Sequence, residues 1–253
     1  MRVVLTRAGQ EASKWSDALR ARGHEVLPLP LLAVGPAPDL QAVESARLAS
    51  AGCTAVMFVS GNAVRGFMGD ASSSWPTATR AWATGPGTVR ALRQAGVPQA
   101  CIDAPAHDAG QYDSEHLWTV VSPLVRPGSR VLVVRGADAR GELAGRDWLA
   151  QRLEAAGASV ETVAAYTRRL PEWDAAQCDR GRAAAADGSM WLFSSSEAVG
   201  NLHFLLPGCD WSMARATATH ERIAQAAREA GFGVVRTSRP ALASVVAVLE
   251  SSG

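Results

Sequence analysis

The residues that could do chemistry in this sequence lie directly behind its short apolar runs. They are small, hydroxylated or glycine, joined by two arginines, an asparagine and a histidine. The set is Arg7, Ser60, Gly61, Asn62, Thr84, Gly85, Thr88, Arg135, Gly136, Ser194, Ser195, Ser196, Thr219 and His220. Turns of this composition expose backbone N–H groups and helix N-termini, which suit anions. Each residue alone could be a plain helix cap, but together they predict a surface for a ligand with several carboxylates.

One aromatic residue stands apart from this set. Tyr166 is one of two tyrosines in the chain, and it closes the apolar pattern Ser159–Tyr166, which predicts a long strand. A buried tyrosine can serve packing alone, with its hydroxyl satisfied locally. At a binding surface the same hydroxyl can donate a proton. We therefore take Tyr166 as the candidate catalytic residue.

Several familiar sites are missing from the sequence. Gly85-x-Gly87 lacks the third glycine of a dinucleotide fingerprint because position 90 is Arg90. There is no Walker A run and no Gly-x-Ser-x-Gly elbow for acyl-enzyme chemistry. The cysteines and histidines have no metal-ligand spacing. We expect neither a metal nor an organic cofactor.

Parts of the sequence occur twice. Phe58–Val64 resembles Phe193–Val199, and Ala83-Thr84 resembles Ala218-Thr219, both at an offset of 135 residues. Val3–Arg7 similarly resembles the start of a later strand. Such self-similarity indicates two copies of one α/β unit. Because strand and helix patterns alternate throughout, the predicted fold class is α/β, with two similar flavodoxin-like lobes built on parallel sheets and a cleft between them.

The repeats allow two domain arrangements. Each half could be contiguous, with a split near Arg126, or one lobe could be inserted into the other. Proline-containing linkers at Pro36–Pro38 and Leu170-Pro171 hold matching places in the pattern and favour insertion. The predicted lobes are 1–35 plus 171–253 for the discontinuous lobe and 36–170 for the inserted one.

Composition limits the partners and the compartment. A formal net charge of +1 argues against a surface that coats nucleic acid. The apolar run Val3–Leu5 is too short for a secretory signal. The longest apolar run, Val26–Val34, is interrupted by Pro28 and Pro30, so it does not predict a membrane span. It belongs instead to a predicted strand, Glu25–Val34. With four separated cysteines expected to stay reduced, we predict a cytoplasmic protein that binds neither nucleic acid nor a membrane.

A series of motifs, taken in order, covers nearly the whole chain. They are Val4-Leu5-Thr6-Arg7, Phe58-Val59-Ser60-x-x-Ala63-Val64, Gly85-x-x-Thr88, Asp113-Ser114-Glu115-x-Leu117, Arg135-Gly136, Ala165-Tyr166-Thr167, Phe193-Ser194-Ser195 and Ala218-Thr219. In order and spacing they resemble the uroporphyrinogen-III synthase family. Thr219-His220-Glu221 departs from the Gly-Pro-Thr of many members, which weakens the case for a hydroxyl role at that turn.

The resemblance implies a nested two-domain fold with an active cleft between the lobes. It implies that the substrate is hydroxymethylbilane, a linear tetrapyrrole with eight carboxylate arms, which the enzyme dehydrates and closes with inversion of ring D. It also places a tyrosine at the position of Tyr166, and we expect a monomer that needs no cofactor. Two alternatives stay open: a cytoplasmic two-lobed binding protein for a polycarboxylate metabolite, and a nucleotide-dependent transferase, which the broken glycine pattern disfavours.

Overall fold

A computed structural model describes residues 1–7, 9–69, 75–106, 114–143 and 148–251. Within these residues the chain forms two compact units. Unit 1 comprises Met1–Ala33 and Arg169–Gly253, and unit 2 comprises Val34–Arg168. Asp113, predicted to cap a helix, and Arg146, predicted to begin one, lie outside the described residues.

Strands and helices alternate along the chain, as the sequence predicts. The strands are β1 (Arg2–Leu5), β2 (Glu25–Pro28), β3 (Ala33–Gly35), β4 (Ala55–Phe58), β5 (Arg80–Ala83), β6 (Ile102–Asp103), β7 (Arg130–Ala137), β8 (Ser159–Arg169), β9 (Met190–Phe193), β10 (Arg215–Ala218) and β11 (Val234–Thr237). The helices are α1 (Gln10–Arg20), α2 (Leu40–Ala49), α3 (Gly61–Met68), α4 (Pro86–Gln94), α5 (Ser114–Val121), α6 (Trp148–Ala155), α7 (Ala175–Ala186), α8 (Ser196–Leu205), α9 (Glu221–Glu229) and α10 (Leu242–Glu250).

Unit 1 is a parallel sheet with helices on both faces. Its strands lie in the order β11-β10-β9-β1-β2. Alternate side chains of one strand enter different cores, because successive residues point to opposite faces. In β1, Val4 packs with the helices α7, α8 and α9, whereas Val3 and Leu5 pack with α1 and α10.

Unit 2 has the same layers. Its strands lie in the order β3-β8-β7-β4-β5-β6, and the pairs from β8 to β6 are parallel. On one face, Val56 and Phe58 of β4 pack with α2, α3 and α4. On the other face, Ala55 and Met57 pack with α5 and α6.

The two sheets have the same arrangement of strands in space, but the chain passes through those strands in a different order. Numbered along the chain, the five strands of unit 1 lie as 2-1-3-4-5, the flavodoxin order. The strands β4 to β8 of unit 2 lie as 3-2-1-4-5, a circularly permuted version of the same sheet. In such sheets ligands bind outside the carboxyl ends of the strands where the order reverses. That point lies between β1 and β9 in unit 1, and between β4 and β7 in unit 2.

The predicted fold class, with two parallel α/β lobes and one inserted into the other, is confirmed. The single predicted strand Glu25–Val34 is wrong, because β2 and β3 belong to different sheets. Pro28 and Pro30 remove two N–H donors from this stretch, which breaks a continuous ladder. The chain passes from unit 1 to unit 2 here. Among the described residues, no helix combines the length and apolar character needed to cross a bilayer.

Candidate active site

The carboxyl end of β4 presents a serine that makes two hydrogen bonds. Ser60 is the N-cap of α3, and its Oγ accepts a hydrogen bond from the N–H of Ala63 at 3.1 Å. The same hydroxyl donates to the Oη of Tyr166 at 3.2 Å. The structure thus brings together two residues that lie 106 positions apart in the chain.

Tyr166 lies within β8 and not at its end, because the strand continues to Arg169. Its side chain is buried, with 6% of the residue exposed. The ring packs against Gly136 of β7, where an added Cβ would lie 2.6 Å from the Tyr166 Cζ. Since Ser60 donates to the phenol oxygen, the hydroxyl proton of Tyr166 is left to donate to another acceptor.

The N-termini of α3 and α4 lie side by side next to this pair. A Cβ added to Gly61 would lie 3.7 Å from the carbonyl oxygen of Gly87. Gly85 is the N-cap of α4, and Thr88, which is buried, donates its N–H to the Gly85 carbonyl at 3.0 Å. Thr84 donates its hydroxyl to the Val59 carbonyl at 3.2 Å. Two adjacent helix N-termini concentrate N–H groups and positive dipole ends, which favour a carboxylate.

Two predicted residues of unit 2 do not sit free at a strand end. Arg135 and Gly136 lie inside β7, which runs to Ala137, and Arg135 is only 7% exposed. The strand continues because β7 is central and pairs with both neighbours.

Asn62 accepts a hydrogen bond from Arg65 at 2.5 Å, one turn further along α3.

Unit 1 has its own row of caps at the carboxyl edge of its sheet. Ser195 caps α8 and accepts from the N–H of Ala198 at 3.4 Å. It is flanked by Ser194 and Ser196, which are half-buried. The Cζ of Arg7 lies 4.3 Å from the ring centroid of Trp15, a cation–π contact that holds the guanidinium.

The second turn of unit 1 differs from its counterpart in unit 2. Thr219 is buried and donates its N–H to the carbonyl of Phe193 at 3.0 Å. His220 caps α9, and its Nδ1 accepts from the N–H of Arg222 at 3.1 Å. The imidazole Nδ1 therefore takes the place of a capping hydroxyl at this helix.

Sequence reasoning missed the residue that lets Tyr166 reach Ser60. Gly66 lies in the middle of α3 against the backbone carbonyl of Ala165, and a Cβ there would overlap that carbonyl. A glycine inside a helix costs about 1 kcal/mol relative to alanine, so it needs a packing reason. That cost is the feature of the sequence that could have pointed to Gly66.

Two cysteines have surroundings that disfavour a reactive thiolate, and the described residues offer no metal ligand set. Burial raises the pKa of the Cys53 and Cys209 thiols, which keeps them protonated. No three His, Cys, Asp or Glu side chains within the described ranges are grouped so as to hold a metal ion. The chemistry available at the carboxyl ends of the strands is hydrogen-bond donation by hydroxyl and backbone N–H groups, together with the guanidinium groups of Arg7 and Arg135.

Solved structures share this fold. A mutant uroporphyrinogen III synthase from Thermus thermophilus is 19% identical with a TM-score of 0.58, and the match covers 100% of this chain and 98% of that one. The uroporphyrinogen-III synthetase from Helicobacter pylori is 13% identical with a TM-score of 0.62, covering 100% of this chain and 99% of that one. At these identities the likeness establishes the fold alone.

A family model establishes more. The model described as Uroporphyrinogen-III synthase HemD matches residues 13–247, which is most of the chain. The chain therefore belongs to the uroporphyrinogen-III synthase family, whose members are enzymes of tetrapyrrole biosynthesis.

Proposed function

We propose that this member of the uroporphyrinogen-III synthase family dehydrates hydroxymethylbilane and closes it, with inversion of ring D, to uroporphyrinogen III. The observation that carries the proposal is the family match over residues 13–247. The turns described above support it, because capped helix N-termini and glycine turns in both units suit a substrate with eight carboxylates. On this proposal the enzyme is a cyclising hydro-lyase.

Binding is spread over many turns. We assign substrate binding to the same residues that the sequence singled out: Arg7, Ser60, Gly61, Asn62, Thr84, Gly85, Thr88, Arg135, Gly136, Ser194, Ser195, Ser196, Thr219 and His220. No single hydroxyl dominates such a surface, so each contributes about 1 kcal/mol, the usual net value of one hydrogen bond. The protein's main contribution is to fold the linear chain so that the substituted carbon of ring D attacks first, which is catalysis by positioning.

Tyr166 is the proposed catalytic residue. The pyrrole nitrogen supplies the electrons that break the C–O bond of the hydroxymethyl group, and the Tyr166 hydroxyl gives its proton to the departing oxygen, which leaves as water. Ring closure later releases one proton from carbon, which restores the phenol. The buried phenol, whose oxygen accepts from Ser60, supports this role because that contact leaves the phenol proton available to donate.

The electrons come from the substrate, so the proposed reaction needs no metal or organic cofactor. Full ring-closing activity is expected after exhaustive chelation. Loss of activity that only an added metal restores would contradict this part of the proposal. We also propose that the protein is a cytoplasmic monomer that binds no nucleic acid, and that the inserted domain spans 36–170, with 1–35 and 171–253 forming the other.

The deciding experiment supplies hydroxymethylbilane and separates the products. Hydroxymethylbilane closes spontaneously to the type I isomer, in which ring D is not inverted. We expect the protein to form the type III isomer catalytically. A protein that binds the substrate tightly but yields only type I would instead be the polycarboxylate-binding protein that the sequence left open.

A further inference from the structure

Three consecutive residues of β8 each lie against a glycine from a different element. Ala165 packs on Gly66 of α3, where a Cβ would overlap the Ala165 carbonyl. Tyr166 packs on Gly136 of β7, at 2.6 Å from its would-be Cβ to the ring Cζ. Thr167 packs on Gly35 of β3, again at 2.6 Å, measured to the Thr167 Oγ1.

These glycines surround a β-bulge. Arg135 pairs with Ala164, whereas the next residue of β7, Gly136, pairs with Tyr166, so Ala165 is the extra residue. In a regular strand Ala165 and Tyr166 would point to opposite faces. Here both enter the same core, the one shared with α3. The bulge therefore turns Tyr166 from the face of α5 and α6 to the face of Ser60.

Gly66 and Gly136 are needed for this turn for different reasons. At Gly66 the obstacle to a side chain is backbone, which cannot rotate away. At Gly136 the obstacle is the phenol ring itself, so any side chain there must displace the ring and its hydroxyl. The ring is then fixed at its far end by the Ser60 hydroxyl, at 3.2 Å from the Tyr166 Oη.

We propose that Gly66, Gly136 and Ser60 are positioning residues that hold the Tyr166 hydroxyl for proton donation through the β-bulge at Ala165. The inference rests on the proposed function of Tyr166 as the donor. Gly66 and Gly136 set the direction of the ring. Ser60 donates to the phenol oxygen, which anchors the hydroxyl and leaves its proton available for the hydroxyl that leaves the substrate.

The first test reads the phenol directly and does not depend on activity. The chain has two tyrosines, so protein labelled with ¹³C at the tyrosine ζ carbon gives two resonances, and Tyr166→Phe identifies the one of Tyr166. Gly136→Ala and Ser60→Ala are each expected to shift this resonance. A Tyr166 resonance that stays in place in both variants would overturn the proposal.

The matched controls remove the same groups elsewhere. Ser129→Ala removes a hydroxyl that also accepts a backbone N–H, from Arg126 at 3.0 Å, at the amino end of β7. Gly200→Ala adds a Cβ on α8 that meets nothing within 4 Å. Both controls are expected to leave the Tyr166 resonance and the turnover number unchanged.

The second test is a double-mutant cycle on turnover. Gly136→Ala is expected to lower kcat about tenfold and Ser60→Ala about threefold, and Ser60→Ala should also raise KM because it removes a substrate contact. Placed in the Tyr166→Phe background, neither should lower kcat further, since both act through the missing hydroxyl. Equal losses with and without the Tyr166 hydroxyl would contradict the proposal. If Gly136→Ala does not fold, Ser60→Ala, which removes one oxygen, decides both tests.

The two tests separate this inference from the proposed function. Full type III turnover in Tyr166→Phe would refute Tyr166 as the donor, while the resonance shifts would still show whether Gly136 and Ser60 position its ring. Shifted resonances with no loss of kcat in Gly136→Ala or Ser60→Ala would refute the positioning role and leave Tyr166 to be judged by its own variant.

Discussion

The two units make the same helix–strand contact in different ways. Asn201 of α8 lies at the repeat position of Gly66 in α3, 135 residues apart. In unit 1, Asn201 Nδ2 donates to the carbonyl of Leu31 at 2.7 Å. In unit 2 the carbonyl of Ala165, which the strand registers make equivalent to Leu31, lies directly against Gly66. In unit 1 the side-chain amide of Asn201 thus fills the space between the helix and the strand. In unit 2 that space is absent, because the helix contacts the strand backbone directly at Gly66.

The difference shows how one copy of a repeat acquires chemistry. Both units keep the cap serines, Ser60 and Ser195, and an arginine at the same register, Arg7 and Arg135. Only unit 2 has tyrosines, because both fall within residues 34–168. The shared parts suit anion binding in either unit, whereas the proposed proton donor is a tyrosine beside the β-bulge of β8 in unit 2.

The largest expected effect comes from filling the close contact of unit 2. Gly66→Ala places a Cβ against backbone, so it should lower the free energy of unfolding by about 3 kcal/mol, the upper part of the overpacking range. Gly200→Ala, on the equivalent helix of unit 1, meets nothing within 4 Å and should raise stability by about 0.5 kcal/mol. Urea unfolding measures both. Similar values for the two variants would remove the distinction between the units.

Tyr166→Phe should come next, as a change in rate and not in stability. It keeps the ring against Gly136 and removes only the donor, so type III formation should fall about ten- to a hundredfold. The melting temperature should stay near that of the wild type, and the type I fraction should rise as released intermediate closes on its own. Timed product separation measures this, and unchanged turnover would return Tyr166 to a packing role.

A smaller effect is expected from the amide of unit 1. Asn201→Ala leaves the Leu31 carbonyl without its side-chain donor and should cost about 1 kcal/mol in the free energy of unfolding. Gln225→Ala is the matched control, because Gln225 donates to the exposed Glu229 one turn away on α9, a pair that contributes only about 0.3 kcal/mol. If denaturant unfolding gives equal losses, the Asn201 bridge is not a structural substitute for the close contact.

The smallest effect is expected from replacing Asp187, which lies near the amino end of the unit 1 sheet. In unit 1, burial works to raise the pKa of Asp187, but hydrogen bonds from Ser189 and the charge of Arg2 outweigh it and lower the pKa. A lowered pKa stabilises the fold above the unfolded value and loses that effect as the pH falls through the folded value. Asp187→Asn should therefore cost about 0.5 kcal/mol at pH 7, limited by solvent screening, and nothing in strong acid. Thermal unfolding across this pH range checks the sign, and a cost that grows on acidification would contradict it.

The sequence predicts the architecture better than it predicts the site. The constant offset between Phe58–Val64 and Phe193–Val199 reflects equivalent strand–turn–helix units, so it carries the fold class. Ser60 and Tyr166 could be named from their types, but their contact could not, because it depends on an extra residue at 165 that no periodicity reveals. Arg135 was misplaced for a related reason, since a central strand paired on both sides extends past the expected turn.

A hydrogen bond joins the first and last segments of unit 2, where the chain enters and leaves it, and this has a consequence for how the chain folds. Thr167 Oγ1 donates to the Pro36 carbonyl at 3.1 Å, so the two ends of unit 2 meet within its own structure. Strands β1 and β9 of unit 1 pair across the 135 residues from Val34 to Arg168, and closing a disordered loop of that length costs about 4 kcal/mol of entropy. Once unit 2 has folded, its two ends lie close together, so this entropic cost no longer opposes the pairing of β1 with β9. We therefore expect unit 2 to fold first. During synthesis β1 and β2 should complete their sheet only after the segment that follows residue 169 has been made.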